Sequence, residues 1–294
     1  MTMPSSLPLE ISTIPGTAKK SKKKGKNDAP ETLKSTARLL SPKERGWTSE
    51  LEALLQNHQD EVGKLSDFEI AAHAIVAKDN VELALHRIRR LKAFKEKYNI
   101  PNDITVFQAI QLLHKFQHAY PDFIQAIGKD GYDRYTFVFQ LKSLSSPPPF
   151  NHDENDRFAA LYFIFHALQP DLDAIRKGVV FVGDLKGVTR QFFALDLFNG
   201  TRSLTKDAYP IKVKDFPCVS SPSRFSAVYA MCMPFFSATL RQKYVSCHTQ
   251  LLQTYYSRPL LPARLGGTMK ENEIMDLLEE NLKKRFENQE SFRL

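Results

Sequence analysis

Residues 207–248, DAYPIKVKDFPCVSSPSRFSAVYAMCMPFFSATLRQKYVSCH, decide the fold, because they read in succession as strand, turn, helix and strand. Tyr209 to Phe216 opens at Pro210 and alternates Ile211, Val213 and Asp215 against Lys212, Lys214 and Phe216. That imperfect period of two predicts a strand with one apolar face and one lysine face. Ser220, Ser221, Pro222 and Ser223 supply turn and N-cap chemistry. Beyond them Phe225, Val228, Tyr229, Cys232, Phe235 and Phe236 recur at helical spacing, with no charge from Phe225 to Leu240. Spanning a bilayer takes about 20 apolar residues, and Pro234 interrupts this run, so the helix is expected to cover something apolar rather than cross a membrane. Arg241 and Lys243 end it, where cations complement the helix dipole and can meet phosphate.

Working outward, Tyr135 to Leu141 (YTFVFQL) is rich in aromatic and β-branched residues and predicts a buried strand. Gly178 to Leu185 (GVVFVGDL) is a near-continuous apolar run, as expected of a strand covered on both faces. Between them Asp153 to Arg176 predicts a crossover helix with Phe158, Leu161, Tyr162, Phe165 and Leu168 on one side. Strands alternating with helices point to an α/β sheet with right-handed crossovers. Phe107 to Ile127 reads as an amphipathic helical region closing at Gly128, with a turn at Asp130-Gly131, and Pro147 to Pro149 end regular structure. Asp184 before Gly187 reads as a turn-capping carboxylate. Upstream, Trp47 to Ile100 carries apolar residues at spacings of three and four and ends at Pro101. Downstream, Glu271 to Phe292 aligns Ile274, Leu277, Leu278, Leu282 and Phe286, a face that either docks on the domain or meets a protein partner.

The YPIKVKDF strand, the FSAVYAMCMPFFS helix, the basic turn after it and LPARLGGT resemble the C-terminal half of the CRAL-TRIO lipid-binding family. The resemblance implies an α/β, CRAL-TRIO-like sheet with crossover helices over a lipid cavity, preceded by a small helical bundle. It divides the chain into a basic tail at 1–46, a bundle at 47–105, a lipid-binding domain at 106–268 and a C-terminal amphipathic helix at 269–294. In such a domain the uncharged helix is the gate over the cavity. The pocket would be lined by Phe158, Leu161 and Phe165 from the crossover helix, Val179 and Phe181 from GVVFV, and Tyr209, Ile211 and Val213 from the YPIKV strand. Phe225, Val228, Tyr229 and Cys232 would face it from the gate. Lys212, Lys214, Arg241 and Lys243 fall on or beside positions where one branch holds a phosphoinositide headgroup at the membrane surface.

The chain departs from the phosphatidylinositol-binding branch. That branch has an acid one residue after the strand's proline and a threonine three before the residue matched by Lys243, and here Ile211 and Leu240 stand there. An arginine usual in the helical block is replaced by Val76. Burying a phosphorylated headgroup without polar partners is costly, so an apolar ligand such as a tocopherol, retinoid, sterol or squalene-like molecule fits better.

Charge and cysteines bound the rest. The net charge of +8 is concentrated in residues 1–46, which hold 10 Lys or Arg against 4 acids and include the run KKSKKKGK. Few large apolar side chains there predict disorder, read either as a solvated tail, as anionic-lipid contact or as a nuclear import signal. No aromatics are interleaved for stacking on bases, which argues against nucleic acid. Cys218, Cys232 and Cys247 are odd in number without Cys-x-x-Cys spacing, as expected of reduced thiols in a cytoplasmic protein, and no secretory leader is visible. Cys218 and Arg224 have the Cys-x5-Arg spacing of a phosphatase loop, but no glycine lets its amides converge and Pro222 removes a donor. His114 and His118 share a helical face without an evident third ligand. The expectation is therefore a non-enzymatic carrier with no cofactor, no metal and no catalytic residue. It binds a hydrophobic lipid and associates peripherally with anionic or phosphoinositide-containing membranes. The alternatives are a protein-interaction scaffold with a vestigial pocket, or phosphatidylinositol or other phospholipid transfer.

Overall fold

The computed structural model describes residues 40–121, 123–140, 142–143, 154–188, 201, 203–219, 222–232 and 238–292. The lysine run, Pro147 to Pro149 and the Pro234-Phe235-Phe236 end of the expected gate lie outside these residues. Helix α1 (Pro42–Gln56) starts inside the stretch assigned above to the tail. The reason is a capping box, in which the Ser41 hydroxyl accepts from the Glu44 amide and the Glu44 carboxylate accepts from the Ser41 amide. It is followed by α2 (Gln59–Val62), α3 (Asp67–Ala77), with a second capping box at Ser66 and Glu69, and α4 (Val81–Lys97). Leu51, Leu55, Ala74, Leu85 and Ile88 form the core of this bundle. The downstream half of α4 belongs to the main core instead, since Tyr98, just past its end, lies 4.1 Å from the ring of Phe158.

Helix α5 (Val106–Ala119) is shorter than the periodicity predicts, because Pro121 cannot continue it. The remainder of that segment is strand β1 (Ile124–Lys129), which forms an antiparallel hairpin with β2 (Tyr135–Gln140). Asp130 shapes the turn, its Oδ1 accepting from the amides of Tyr132 and Arg134 at 2.9 Å each. The crossover is two helices rather than one: α6 (Glu154–Ala167) stops before Pro170, and Asp171 caps α7 (Leu172–Lys177) by accepting from the Ala174 amide at 2.8 Å. Strand β3 (Val179–Asp184) follows, then a π-helical turn at Ser203–Ala208, β4 (Val213–Val219), α8 (Pro222–Cys232), α9 (Ala238–Lys243) and β5 (Tyr244–Cys247). The sheet order is β1-β2-β3-β4-β5, with β2 through β5 parallel. Strand β4 begins four residues later than the alternation from Tyr209 implies, because Tyr209 to Lys212 lead out of the π turn and only the Lys212 carbonyl reaches β3, accepting from the Val179 amide at 2.9 Å.

The two faces of the sheet differ by residue size. Ala126, Val138, Val180, Val182 and Val219 pack under α10 (Thr249–Tyr255) and the strap 258–265 through Leu252, Tyr256, Leu260, Leu261 and Leu265. Gly128 permits this approach, since a Cβ there would lie 2.0 Å from Leu260 Cδ1. On the opposite face Phe137, Phe139 and Phe181 meet α5, α6 and the final helix α11 (Glu271–Ser291). Helix α6 is buried on every side from Phe158 to Ala167, so its aromatics are not confined to one stripe. Helix α11 uses its apolar face on the domain: Ile274, Met275, Leu278 and Leu282 are all buried in the main core.

Polar contacts tie the bundle to the sheet unit. The Arg285 guanidinium, 1% exposed, lies 3.9 Å from the ring centroid of Phe68 in α3 and donates to the Gln169 carbonyl at 3.2 Å. Arg176 forks onto Glu44 with Nε to Oε1 at 2.7 Å and a terminal N–H to Oε2 at 2.9 Å. Burial alone would raise the Glu44 pKa. The Arg176 hydrogen bonds and charge, with the Ser41 amide and hydroxyl, outweigh it and hold the carboxyl at about 2. The folded value lies below the ordinary one of 4.5, so the stability it contributes is fully present above pH 4.5 and is lost as pH falls towards 2. Replacing Arg176 by Met is expected to destabilise by about 1–3 kcal/mol at neutral pH. In urea titrations the gap between wild type and variant should close progressively below pH 4.5.

Candidate functional site

The site is built on an irregularity in β4. Val179 of β3 pairs with Val213, but Val180 pairs with Asp215, so Lys214 is an extra residue that bulges from the strand. A regular strand would turn Val213 and Phe216 to opposite faces. The bulge resets the phase, and both pack against the aromatic core while Lys214 and Asp215 stay exposed. The sequence-based assignment of Phe216 to the lysine face is thereby corrected. Gly183 makes room for the ring, since a Cβ on it would lie 3.3 Å from Phe216 Cε2.

Phe216 joins two aromatic groups. On one side its ring is 5.9 Å from Phe139 and 6.0 Å from Phe181, and Phe181 is 5.9 Å from Phe165. Phe165 in turn lies 5.7 Å from Tyr209. On the other side Phe216 is 5.1 Å from Tyr244, which stacks with Phe225 at 5.2 Å and Tyr229 at 5.7 Å. Val228, 1% exposed, seals the base of α8 with Leu185, Val188 and Cys218. Val213, Phe216, Phe225 and Tyr229 are only half-buried, so apolar surface is left open where the sheet meets α8.

The sequence-derived lining residues divide accordingly. Phe165, Val179, Phe181, Tyr209, Ile211 and Val213 share the core on the sheet's aromatic face, together with buried Leu161. Phe158 belongs to the same core but turns to α4, with its ring near Phe94 and Tyr98. Phe225, Val228 and Tyr229 form the second group, and the Cys232 side chain lies outside the described residues. Sequence reasoning missed Phe137, Phe139, Phe216 and Tyr244. Phe137 and Phe139 were available from the alternation of YTFVF against Thr136 and Val138.

Tyr209 is the polar point of this lining. Its hydroxyl lies 2.9 Å from Nδ1 of His166, which is also 3.2 Å from the Tyr162 carbonyl. Burial, with the Arg285 charge nearby, keeps His166 neutral by pushing its pKa well below the ordinary value. The basic residues are not equivalent. Lys214 and Arg241 are exposed. Lys212 donates from Nζ to the Ile75 carbonyl at 3.0 Å, and Lys243 donates from Nζ to the Val213 carbonyl. Burial, then the charges of Lys214 and Lys78, brings Lys212 down to about 8.

The residues weighed for covalent or metal chemistry are engaged elsewhere. Cys218 is buried within β4 between Gly183 and Ser246, and the Arg224 side chain lies outside the described residues. Asp184 accepts from the Lys186 amide at 2.8 Å and lies 3.5 Å from Arg264 Nε, the geometry of a turn cap held from the strap. His114 lies 2.7 Å from Glu279.

A largely parallel sheet floored with phenylalanine thus meets α8, whose residues from Phe225 onward carry no charge. Residues 122–267 match the CRAL/TRIO domain, which makes this part of the chain a CRAL-TRIO domain. It is 27% identical over 111 residues to mouse tyrosine-protein phosphatase non-receptor type 9, covering 38% of this chain and 19% of that protein. It is 25% identical over 128 residues to human alpha-tocopherol transfer protein-like, covering 42% and 37%. The mouse counterpart of the latter matches at 25% over 149 residues, covering 47% and 43%. The chain thus spans less than half the length of each of these relatives. The crystal structure of Sfh5 superposes with a TM-score of 0.47 at 12% identity, covering 84% of this chain and 98% of that one.

Phe216→Ala should cost about 2–3 kcal/mol in urea unfolding, less than a fully enclosed phenylalanine because the ring is half-buried. It should also weaken the near-UV circular dichroism of the Phe225, Tyr229 and Tyr244 stack, which a core change remote from Phe216 would leave intact.

Proposed function

We propose that this protein is a carrier that takes a hydrophobic lipid between the aromatic face of its sheet and α8, and exchanges it at an anionic membrane by moving the segment from Phe225 to Phe236. The observation that carries this reading is the half-buried apolar wall of Val213, Phe216, Phe225 and Tyr229. It adjoins a core in which the neighbouring side chains are closed off, and an apolar ligand would complete its cover at about 25 cal/mol per Å² removed from water. Lys214 and Arg241 give the same region an exposed positive surface, and each basic residue near an anionic bilayer contributes about 1 kcal/mol. Contact with the membrane favours the open state only through such differential stabilisation. The cycle is one of partition, without a covalent step and without a cofactor, in a protein that works from the cytoplasmic side as a peripheral membrane component.

An apolar ligand is favoured over phosphatidylinositol. Ile211, where the phosphatidylinositol-binding branch has an acid, is 5% exposed inside the aromatic core, and Lys243 already has a backbone acceptor. A relative named alpha-tocopherol transfer protein-like is consistent with that class of ligand. One observation favours the scaffold alternative: Phe137 and Phe139 stack at 5.5 Å and each packs edge-on to Phe181, so protein fills the middle of the sheet face.

Native mass spectrometry and solvent extraction after purification from a lipid-containing host separate these readings. One apolar lipid per chain is the expected result. A protein that arrives empty and takes nothing up from vesicles favours the scaffold, and a bound phosphatidylinositol overturns the inference from Ile211. Val213→Trp, which extends the wall into the open region, should weaken uptake of a fluorescent sterol about tenfold while shifting the urea midpoint by less than about 1 kcal/mol equivalent.

A further inference from the structure

The turn between β1 and β2 carries a tyrosine that takes no part in the site. Of the tyrosines whose side chains are described, Tyr132 alone is exposed, at 74%. Its turn is closed by the backbone, since the Asp130 amide donates to the Arg134 carbonyl and the Asp133 amide to the Asp130 carbonyl, each at 2.9 Å. Asp133 lies in the left-handed region at φ 57°, and its carboxylate is held between Lys129 and Lys177. The ring of Tyr132 therefore stands out from a fixed turn, with Asp130 two residues before it and Asp133 directly after. The guanidinium of Arg134 lies 4.9 Å from the ring centroid. Arg134 is itself divided between two carboxylates: Nε and one terminal nitrogen reach Asp130 Oδ2 at 2.7 Å, and the other terminal nitrogen reaches Asp215 Oδ2 at 2.7 Å. The two halves differ in burial. The Asp130 carboxylate is enclosed and also accepts from the turn amides, whereas Asp215 is exposed at the β4 bulge. The hairpin tip is thus tied to the bulge through the solvent-facing half of the fork, which is the weaker half.

We propose that Tyr132 is a phosphoacceptor for an acid-directed tyrosine kinase, and that its phosphate draws the Arg134 guanidinium away from Asp215 and unties the hairpin tip from the β4 bulge. The phenolic oxygen attacks the γ-phosphorus of ATP, an O–P bond forms as the bond to the departing ADP breaks, and the phenolic proton passes to the catalytic carboxylate of the kinase. The product carries a charge of about −1.5 to −2 at pH 7 and presents strong acceptor oxygens. In the unmodified tip Lys129, Arg134 and Lys177 are all engaged by Asp130, Asp133 and Asp215, so the new anion gains a cation only by exchange. Arg134 is the cation already beside the ring, and its planar fork suits phosphate. Asp215 yields before Asp130, because an exposed carboxylate is taken up by water while a buried one would be left unpaired.

The full chain, incubated with ATP, magnesium and a panel of purified acid-directed tyrosine kinases, is digested and its phosphotyrosines are mapped by mass spectrometry. Phosphate should enter at Tyr132. Tyr132→Phe keeps the ring beside Arg134, and should lose most of the incorporation with an unchanged circular dichroism spectrum. A panel that leaves Tyr132 unlabelled in the full chain overturns the proposal, as does label that falls on other tyrosines and persists in Tyr132→Phe. A double-mutant cycle then reads the exchange of partners. Asp215→Asn should lower the urea midpoint of the unmodified protein and leave that of the phosphorylated protein unchanged. Equal losses in the two forms show that Arg134 stays on Asp215 and overturn the release. No loss in the unmodified protein overturns it as well, since there is then no tie to undo. Bound lipid enters neither arm, so the outcome is separate from that of the carrier reading.

Discussion

The extra residue at Lys214 is the constraint on which the rest of the site depends. Parallel strands buried on both faces leave no freedom of phase, because a shift of one residue exchanges the two faces completely. By inserting one residue after Val213, β4 keeps its pairing with β3 upstream and downstream while presenting Val213 and Phe216 to the same side. Phe216 can then connect the sheet core with the tyrosine stack under α8. The two charged residues expelled at the bulge, Lys214 and Asp215, remain exposed beside the open edge of that wall. One insertion thus accounts for an apolar interior and a charged rim within four residues.

The same irregularity explains what was legible before the structure. The β2 and β3 strands, the uncharged helix and the final helix are strongly patterned segments, and their type followed from period and composition. β1 did not follow, because IQAIGK has no alternation and continues the apolar spacing of α5; the hairpin is set by Pro121 and Asp130, whose consequences are tertiary as much as local. Asp171 and Pro170 likewise split a helix that apolar content alone would have run through. Among the site residues, those on the sheet were legible from their face, whereas Phe216 was not, since a bulge is defined by the partner strand. The roles of Lys212 and Lys243 were hidden for a related reason. Their acceptors lie 137 and 30 residues away, and no local pattern marks a lysine that spends its ammonium on a distant carbonyl.

The bundle is more than an appendage to this sheet. Helix α4 has its first half in the bundle core and its second half against α6, so the two cores share one rigid element. Arg176 on Glu44, Lys212 on the Ile75 carbonyl and Arg285 over Phe68 cross the same junction, with Arg285 buried and Arg176 and Lys212 partly so. Such contacts add little net stability over apolar packing, but they penalise misplacement heavily, because a displaced partner leaves a buried charge. They hold α1 through Glu44 and α3 through Phe68 and Ile75. His73, buried in α3 with burial and the Arg87 and Arg285 charges bringing its pKa down to about 3, is kept neutral by the same surroundings.

Helix α11 completes a core that begins with α4, α5 and β1. During synthesis the chain from Leu91 onward therefore emerges with an apolar face that its own final segment has to cover. At about 5–20 residues per second, the interval between α5 and α11 is on the order of ten seconds. For that time β1, α5 and α6 expose the surface that Ile274, Leu278 and Leu282 later occupy. Until α11 emerges, that face stays in contact with water or with other chains.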